Sequence, residues 1–302
     1  MSNLVLLILC FLLGILFRRI DRFPKNTPEV LNAFILYVSL PALVLKHIHE
    51  VNITYEILLP ALMPWMIFFI AVLVFYVLYY FKIFELKTTI CLILTAGLGN
   101  TSFVGIPLLE LYLGKDAIGY AIISDQLGTF FVLSFPGLIL ASISESGKWT
   151  LSALLKRVFS FPPVIALIIA ILLRPFDYPS WLMTVLVRLG DTLTPLALVS
   201  VGFLLNLRTL KGHSFALGIG LGVKLILLPM IVAFVYHFIT PNQLMYKTIV
   251  MEAAMAPMVT STIVAIDRNI APHLASLMLG IGIPLSFLTT YIFFNILEVG
   301  FL

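Results

Sequence analysis

Residues 86–114 read LKTTICLILTAGLGNTSFVGIPLLELYLG, and the middle of this stretch decides how the chain is built. It is long enough to cross a bilayer, which takes roughly 20 apolar residues. Where an ordinary membrane helix would carry Leu and Val, it places Gly97, Gly99, Asn100, Thr101, Ser102, Gly105 and Pro107. Gly97 and Gly99 offer permissive dihedrals, and Pro107 removes a helical donor. Asn100, Thr101 or Ser102 can cap a fresh half-helix. The stretch therefore predicts a helix that unwinds in mid-membrane and restarts near Thr101. Backbone without helical hydrogen bonds survives at that depth only inside protein or against a wet cavity. The competing reading is a kinked structural helix that uses Gly and Ser for close packing.

A second stretch, MYKTIVMEAAMAPMVTSTIVAID at 245–267, is interrupted in the same way, with Glu252, Pro257, Thr260, Ser261 and Thr262 near its middle. Its second half is expected to begin near Thr260. Paired interruptions at corresponding positions of two halves point to a transport site. Two half-helix N-termini would then face the midplane, each with roughly half a positive charge and unsatisfied N–H groups, which favours an anion. Carboxylate is the natural ligand. Phosphate is disfavoured because no Arg cluster converges there, although Arg188 and Lys224 keep it open.

Composition agrees with a membrane setting. Of 302 residues, 61% are hydrophobic and 11% charged, with a mean hydropathy of +1.13. Soluble domains run near 45–50% apolar and about 25% charged, so the chain is read as an all-α integral membrane protein. The net charge of +4 forms no basic stripe, which excludes nucleic acid as a partner. Cys10 and Cys91 both lie in apolar segments, and the five His sit at segment ends, so neither a disulfide scaffold nor a metal site is expected. No Ser-x-x-Lys, His-Glu-x-x-His, P-loop or dinucleotide fingerprint appears, and neither enzyme chemistry nor a cofactor is expected.

Ten apolar segments qualify as spans: 2–17, 28–46, 56–81, 87–113, 117–143, 158–173, 180–206, 213–239, 243–267 and 272–297. A signal peptide fits 2–17 poorly, because Arg18, Arg19 and Arg22 follow the apolar run instead of preceding it. Loops after the odd spans hold twelve of the Lys and Arg residues and the other loops hold Lys46, Lys115, Arg174 and Lys247. The positive-inside rule then puts both termini outside a multi-pass protein of the cell membrane. Five spans per half force any repeat to be inverted, with 1–144 and 158–302 as the repeats and 145–157 as a cytoplasmic linker. At an offset of 154 residues Pro41 matches Pro195, Ala117 matches Ala271, Ala121 matches Ala275 and Gly128 matches Gly282.

Charges inside spans are functional candidates by default. Asp125 either serves the site or faces outer water. Arg188 and Asp191 are three apart on one helix face and make either a structural pair or a ligand site. Glu252 has no local partner and is a proton-sensitive candidate for coupling. Lys224 is a candidate partner for one of these carboxylates.

The stretch from Gly99 to Leu109, with Asn100-Thr101 and Gly105-Ile106-Pro107, resembles the broken fourth helix of the auxin efflux carrier family, which includes the plant PIN carriers and prokaryotic permeases. Asn32 with Leu40-Pro41-Ala42-Leu43 is similar to its second helix, and Gly190-Asp191 followed by Gly202 to its seventh. Glu252 to Pro257 resembles its ninth, and Asp267-Arg268-Asn269 its closing turn. The resemblance implies inverted five-helix repeats whose helices 4 and 9 cross at proline-containing breaks. It also implies a transport domain that moves against a scaffold, often in a homodimer. It places Asn100 on the substrate carboxylate, and the crossing near 97–101 and not at Pro107. Thr101, Ser102, Pro257, Thr260 and Asn32 are further candidate contacts. Prokaryotic relatives often show two prolines where this chain has Ala256-Pro257, and Asn where Thr260 stands. The expected function is alternating-access transport of a small organic anion, auxin-like or a dicarboxylate. A membrane sensor without transport and a sodium-coupled symporter of the bile-acid type are the rivals.

Overall fold

The computed structural model describes residues 2–50, 58–143, 152, 159–160, 162–204 and 213–299. Most of the expected 145–157 linker, and with it Lys148, Lys156 and Arg157, lies outside the described residues, as do Arg208 and Lys211. Every regular element among the described residues is helical. In chain order these are α1 (Ser2–Phe17), α2 (27–50), α3 (Leu58–Tyr80), α4a (Leu86–Ala96), α4b (Thr101–Leu113) and α5 (115–143). Then follow α6 (Pro162–Leu173), α7a (Ser180–Gly190), α7b (Leu193–Leu204), α8 (Ser214–Ile239), α9a (Gln243–Ala253), α9b (Val259–Asp267) and α10 (Pro272–Val299).

Six stretches are long and apolar enough to cross a membrane by length and composition: Thr27–Lys46, Leu58–Tyr80, Lys115–Ser142, Ser180–Ser200, Ser214–Ile239 and Pro272–Val299. Ile8–Phe17, Leu86–Ala96, Thr101–Leu113 and Val164–Leu173 are shorter apolar helices. The outer faces carry exposed Leu62, Phe69 and Leu73 on α3 and Phe234 and Phe238 on α8, a surface suited to lipid.

Proline accounts for most of the irregularity inside these helices. Wide π turns occur at Ile35–Ser39, Thr101–Gly105, Leu133–Gly137 and Val223–Leu227, beside or around Pro41, Pro107, Pro136 and Pro229. A proline has no N–H for the carbonyl four residues back, and the ladder slips by one residue to compensate. A fifth π turn, Ser124–Thr129, holds Asp125 and contains no proline. The interruption of α7 at Asp191 and Thr192 was not expected from the sequence. Pro195 cannot donate to the Asp191 carbonyl, and the Thr192 hydroxyl instead bonds Leu189 O at 2.6 Å and Ser39 Oγ at 2.6 Å.

The two long breaks cross each other. Asn100 N–H donates to Ala256 O at 2.7 Å and Met258 N–H to Leu98 O at 3.0 Å, which makes Gly99 and Pro257 an isolated antiparallel bridge. In such a pair the two central residues exchange no hydrogen bonds. Pro257 therefore occupies a position where its missing N–H costs nothing. The extended backbone left over from both helices is satisfied by pairing the breaks with each other. Gly282 on α10 leaves room for this arrangement, since a Cβ there would stand 2.6 Å from Pro257 Cδ.

Around the crossing, α4a lies against α9b and α9a against α4b. Farther out, α1 packs along α7b with backbones almost in contact. A Cβ on Gly14 would fall 2.2 Å from Val199 O, and one on Gly202 would fall 2.1 Å from Phe11 O.

Candidate functional site

Asn100 is the hinge of the site. Its backbone belongs to the bridge, while its side-chain Oδ1 accepts from Phe103 N at 3.0 Å and Val104 N at 3.3 Å, capping α4b. That leaves the buried Nδ2 with no hydrogen-bond partner. The second restart, at Val259, has Met258 as its cap residue and no side-chain cap, so its first N–H groups keep their donors unspent on a side chain.

Both N-termini open on one cavity of about 90 Å³. Its polar lining is Asn100, Ser102, Asp125 and Thr260. The apolar wall comes from Leu36 and Leu40 on α2, Phe103 on α4b, Phe130 and Leu133 on α5, and Met258 and Val259. Asp125 is fully enclosed and does not face outer water. Its Oδ1 accepts from Thr101 Oγ1 at 2.5 Å and Ser102 Oγ at 2.8 Å, and its Oδ2 from Gln126 Nε2 at 2.6 Å. The two hydroxyl bonds hold the first residues of α4b against α5.

Glu252 and Lys224 lie next to the crossing and do not line the cavity. Glu252 is 1% exposed, and neither carboxyl oxygen has a hydrogen-bond partner. It abuts Gly105, where a Cβ would come within 2.7 Å of Oε2. It interacts electrostatically with both Asp125 and Lys224. Lys224 Nζ donates to Ala253 O at 3.0 Å, so its direct partner is a backbone carbonyl of the break.

The structure thus brings Asn100, Ser102, Asp125 and Thr260 to the cavity, Thr101 directly behind them, and Pro257 with Gly99 into the crossing. Gly97 ends α4a, and Pro107 sits one turn inside α4b. Three expected residues are elsewhere. Asn32 Oδ1 accepts from Ser200 Oγ at 2.7 Å and ties α2 to α7b. Arg188, in the last turn of α7a, and Asp191, in the interruption that follows it, are both exposed. Gln126 and the α2 wall were not anticipated. Asp125 marks its neighbour Gln126 only in hindsight, and an apolar wall on an apolar helix leaves no signal.

A lipid-suited helical body with two opposed helix breaks around a buried polar cavity defines a membrane transport protein. The family model described as membrane transport protein matches residues 1–294, and the chain belongs to that family, which includes the PIN-like auxin efflux carriers. It is 28% identical over 187 residues to an uncharacterized transporter of Methanothermobacter thermautotrophicus, a match covering 61% of this chain and 60% of that protein. It is also 28% identical over 222 residues to an uncharacterized transporter of Methanocaldococcus jannaschii, covering 69% and 70%. The match therefore spans less than two thirds of the first relative.

Proposed function

We propose that this protein is a secondary transporter that carries a small organic anion across the cell membrane by alternating access, together with a proton. The observation that carries this reading is the orphaned Asn100 Nδ2 beside two half-helix N-termini on one cavity. Each N-terminus contributes roughly half a positive charge, which suits a carboxylate. A cavity of about 90 Å³ compares with roughly 30 Å³ for a water molecule and roughly 300 Å³ or more for a drug-sized pocket. That favours acids of a few carbons over an indole-bearing acid.

Charge bookkeeping supports the proton. The Asp, Glu, Lys and Arg side chains buried among the described residues, Asp125, Lys224 and Glu252, sum to one negative charge when all are ionised. A second negative charge in this low-dielectric interior is costly. One proton loaded with each added carboxylate removes it, and Glu252, with no hydrogen bonds to lose, is the group we assign to take the first.

Reciprocal packing supports ten crossings in two inverted repeats, 1–144 and 158–302. Helix α1 packs on α7b as α6 packs on α2, α4a meets α8 as α9a meets α3, and α3 meets α5 as α8 meets α10. Each pair exchanges a helix for the one five places on. On this reading α1, α2, α6 and α7 form the scaffold, and the cavity lies between it and the remaining helices. A second cavity of about 400 Å³, with Arg18, Lys25 and Thr262 in its wall, lies along α9b, and we assign it as the cytoplasmic vestibule.

The test is uptake of labelled malonate and other short mono- and dicarboxylates into proteoliposomes containing only this protein, with an indole acid alongside. Saturable uptake of a short acid, faster when the outside is acidified, is expected. Absence of flux for every acid in the set, with ligand binding retained, would return the reading to a sensor. Within the same assay, protonating a carboxyl near the anion lowers repulsion, so apparent affinity should rise as pH falls. Glu252→Gln mimics the protonated group and should flatten that slope; parallel slopes in the two proteins would remove Glu252 from coupling.

A further inference from the structure

The crossing is also where two helix C-termini meet. Helix α4a ends at Ala96 and α9a at Ala253, and each leaves carbonyls and partial negative charge near the break. In carriers built from broken helices such ends, with unwound carbonyls, are where a coupling cation binds. In this chain a side chain reaches the place. Lys224 is 0% exposed, and its Nζ donates to Ala253 O at 3.0 Å. The same Nζ stands 3.2 Å from where a Gly99 Cβ would be, and that point is 3.6 Å from Glu252 O. The ammonium therefore sits against the backbones of both breaks at once. A π turn, Val223–Leu227, carries Lys224 there, following Gly220 and Gly222 and preceding Pro229. The charged groups facing it are Glu252, whose two carboxyl oxygens lack hydrogen-bond partners, and, beyond Glu252, Asp125.

We propose that the Lys224 ammonium takes the position at the helix crossing that a free sodium ion would otherwise fill, so that loading this carrier needs no sodium. A lysine ammonium is a compact, strongly hydrated point charge with three donors, the side chain closest in character to a small monovalent cation. Tethered through α8, it cannot be lost by dilution. That loading involves an anion rests on the transport reading above; occupancy of the crossing by a built-in cation does not.

The experiment uses the purified chain without any organic acid. Unfolding temperature is followed with a thiol-reactive dye on the buried Cys10 and Cys91. Sodium, potassium, ethylammonium and N-methylglucamine chlorides are compared at one ionic strength. The wild type should unfold at the same temperature in all four. Lys224→Ala should unfold several degrees lower in N-methylglucamine and recover, saturably, with sodium or ethylammonium. Selective stabilisation of the wild type by sodium would overturn the proposal, and so would a folded Lys224→Ala protein indifferent to every small cation. Should Lys224→Ala not yield folded protein, Lys224→Met is put through the same comparison, and the wild-type arm decides by itself. Because no acid is present, failure here leaves the carrier reading standing, and absence of acid flux leaves this one standing.

Discussion

Replacing Asn100 by Asp is expected to abolish stabilisation of the protein by short carboxylates while leaving it folded. The two roles of Asn100 reside on different atoms. Oδ1 caps α4b by accepting from Phe103 N and Val104 N, and Nδ2 is the unspent donor. Asp keeps the cap acceptor, removes the donor and puts a negative charge where the anion would lie. Asn100→Ala loses both functions, and the missing cap costs about 1 kcal/mol. Loss of one hydrogen bond to a charged group is worth about 1.5–3 kcal/mol, or roughly 10- to 100-fold in affinity. Affinity should therefore fall about that far in the Ala variant and farther in the Asp variant, despite its better-capped helix. The measurement is the shift in unfolding temperature against malonate concentration for the three proteins. If Asn100→Asp still responds to the acid as wild type does, the ligand site is not at this N-terminus.

The largest loss of stability is expected from Asp125→Ala. This change strands the hydroxyls of Thr101 and Ser102 and the Gln126 amide, all of which now bond one carboxyl. Each buried donor left without a partner costs about 1–3 kcal/mol, and three are stranded at once. Asp125→Asn should cost far less. Its single carbonyl oxygen can still accept from Thr101 and Ser102, and its new amide finds an acceptor in Gln126 Oε1, which has no partner at present. A flip of the Gln126 amide completes the exchange. The same thiol-dye assay, run on both variants, reads the difference. Equal unfolding temperatures for Ala and Asn would show that Asp125 does not hold α4b to α5.

How much of this was legible beforehand differs by residue. The restarts expected near Thr101 and Thr260 fall at Thr101 and Val259, because Gly, Asn and Pro act through local backbone sterics and capping. The interruption of α7 has a comparable local mark in Pro195, whose missing N–H breaks the ladder at Asp191. Asn32 and the Arg188–Asp191 pair lie away from the cavity for another reason. Polarity within an apolar segment says that a residue needs a partner or water, and it does not say which. Asn32 found Ser200 on α7b, while Arg188 and Asp191 found the exposed surface.

By itself the sequence determined the membrane setting, the helical class, the family and the two places where helices break. Each of these follows from composition or from a few neighbouring residues, on a scale the chain settles locally. Only the tertiary structure decided that the breaks pair through Gly99 and Pro257, that Asp125 spends its oxygens on Thr101, Ser102 and Gln126, and that Lys224 reaches the Ala253 carbonyl. These contacts join residues from 23 to 158 positions apart, apart from the adjacent Gln126. Which buried donor meets which acceptor depends on how whole helices pack, and in a chain where nearly every helix face is apolar the pattern of residues does not encode that choice.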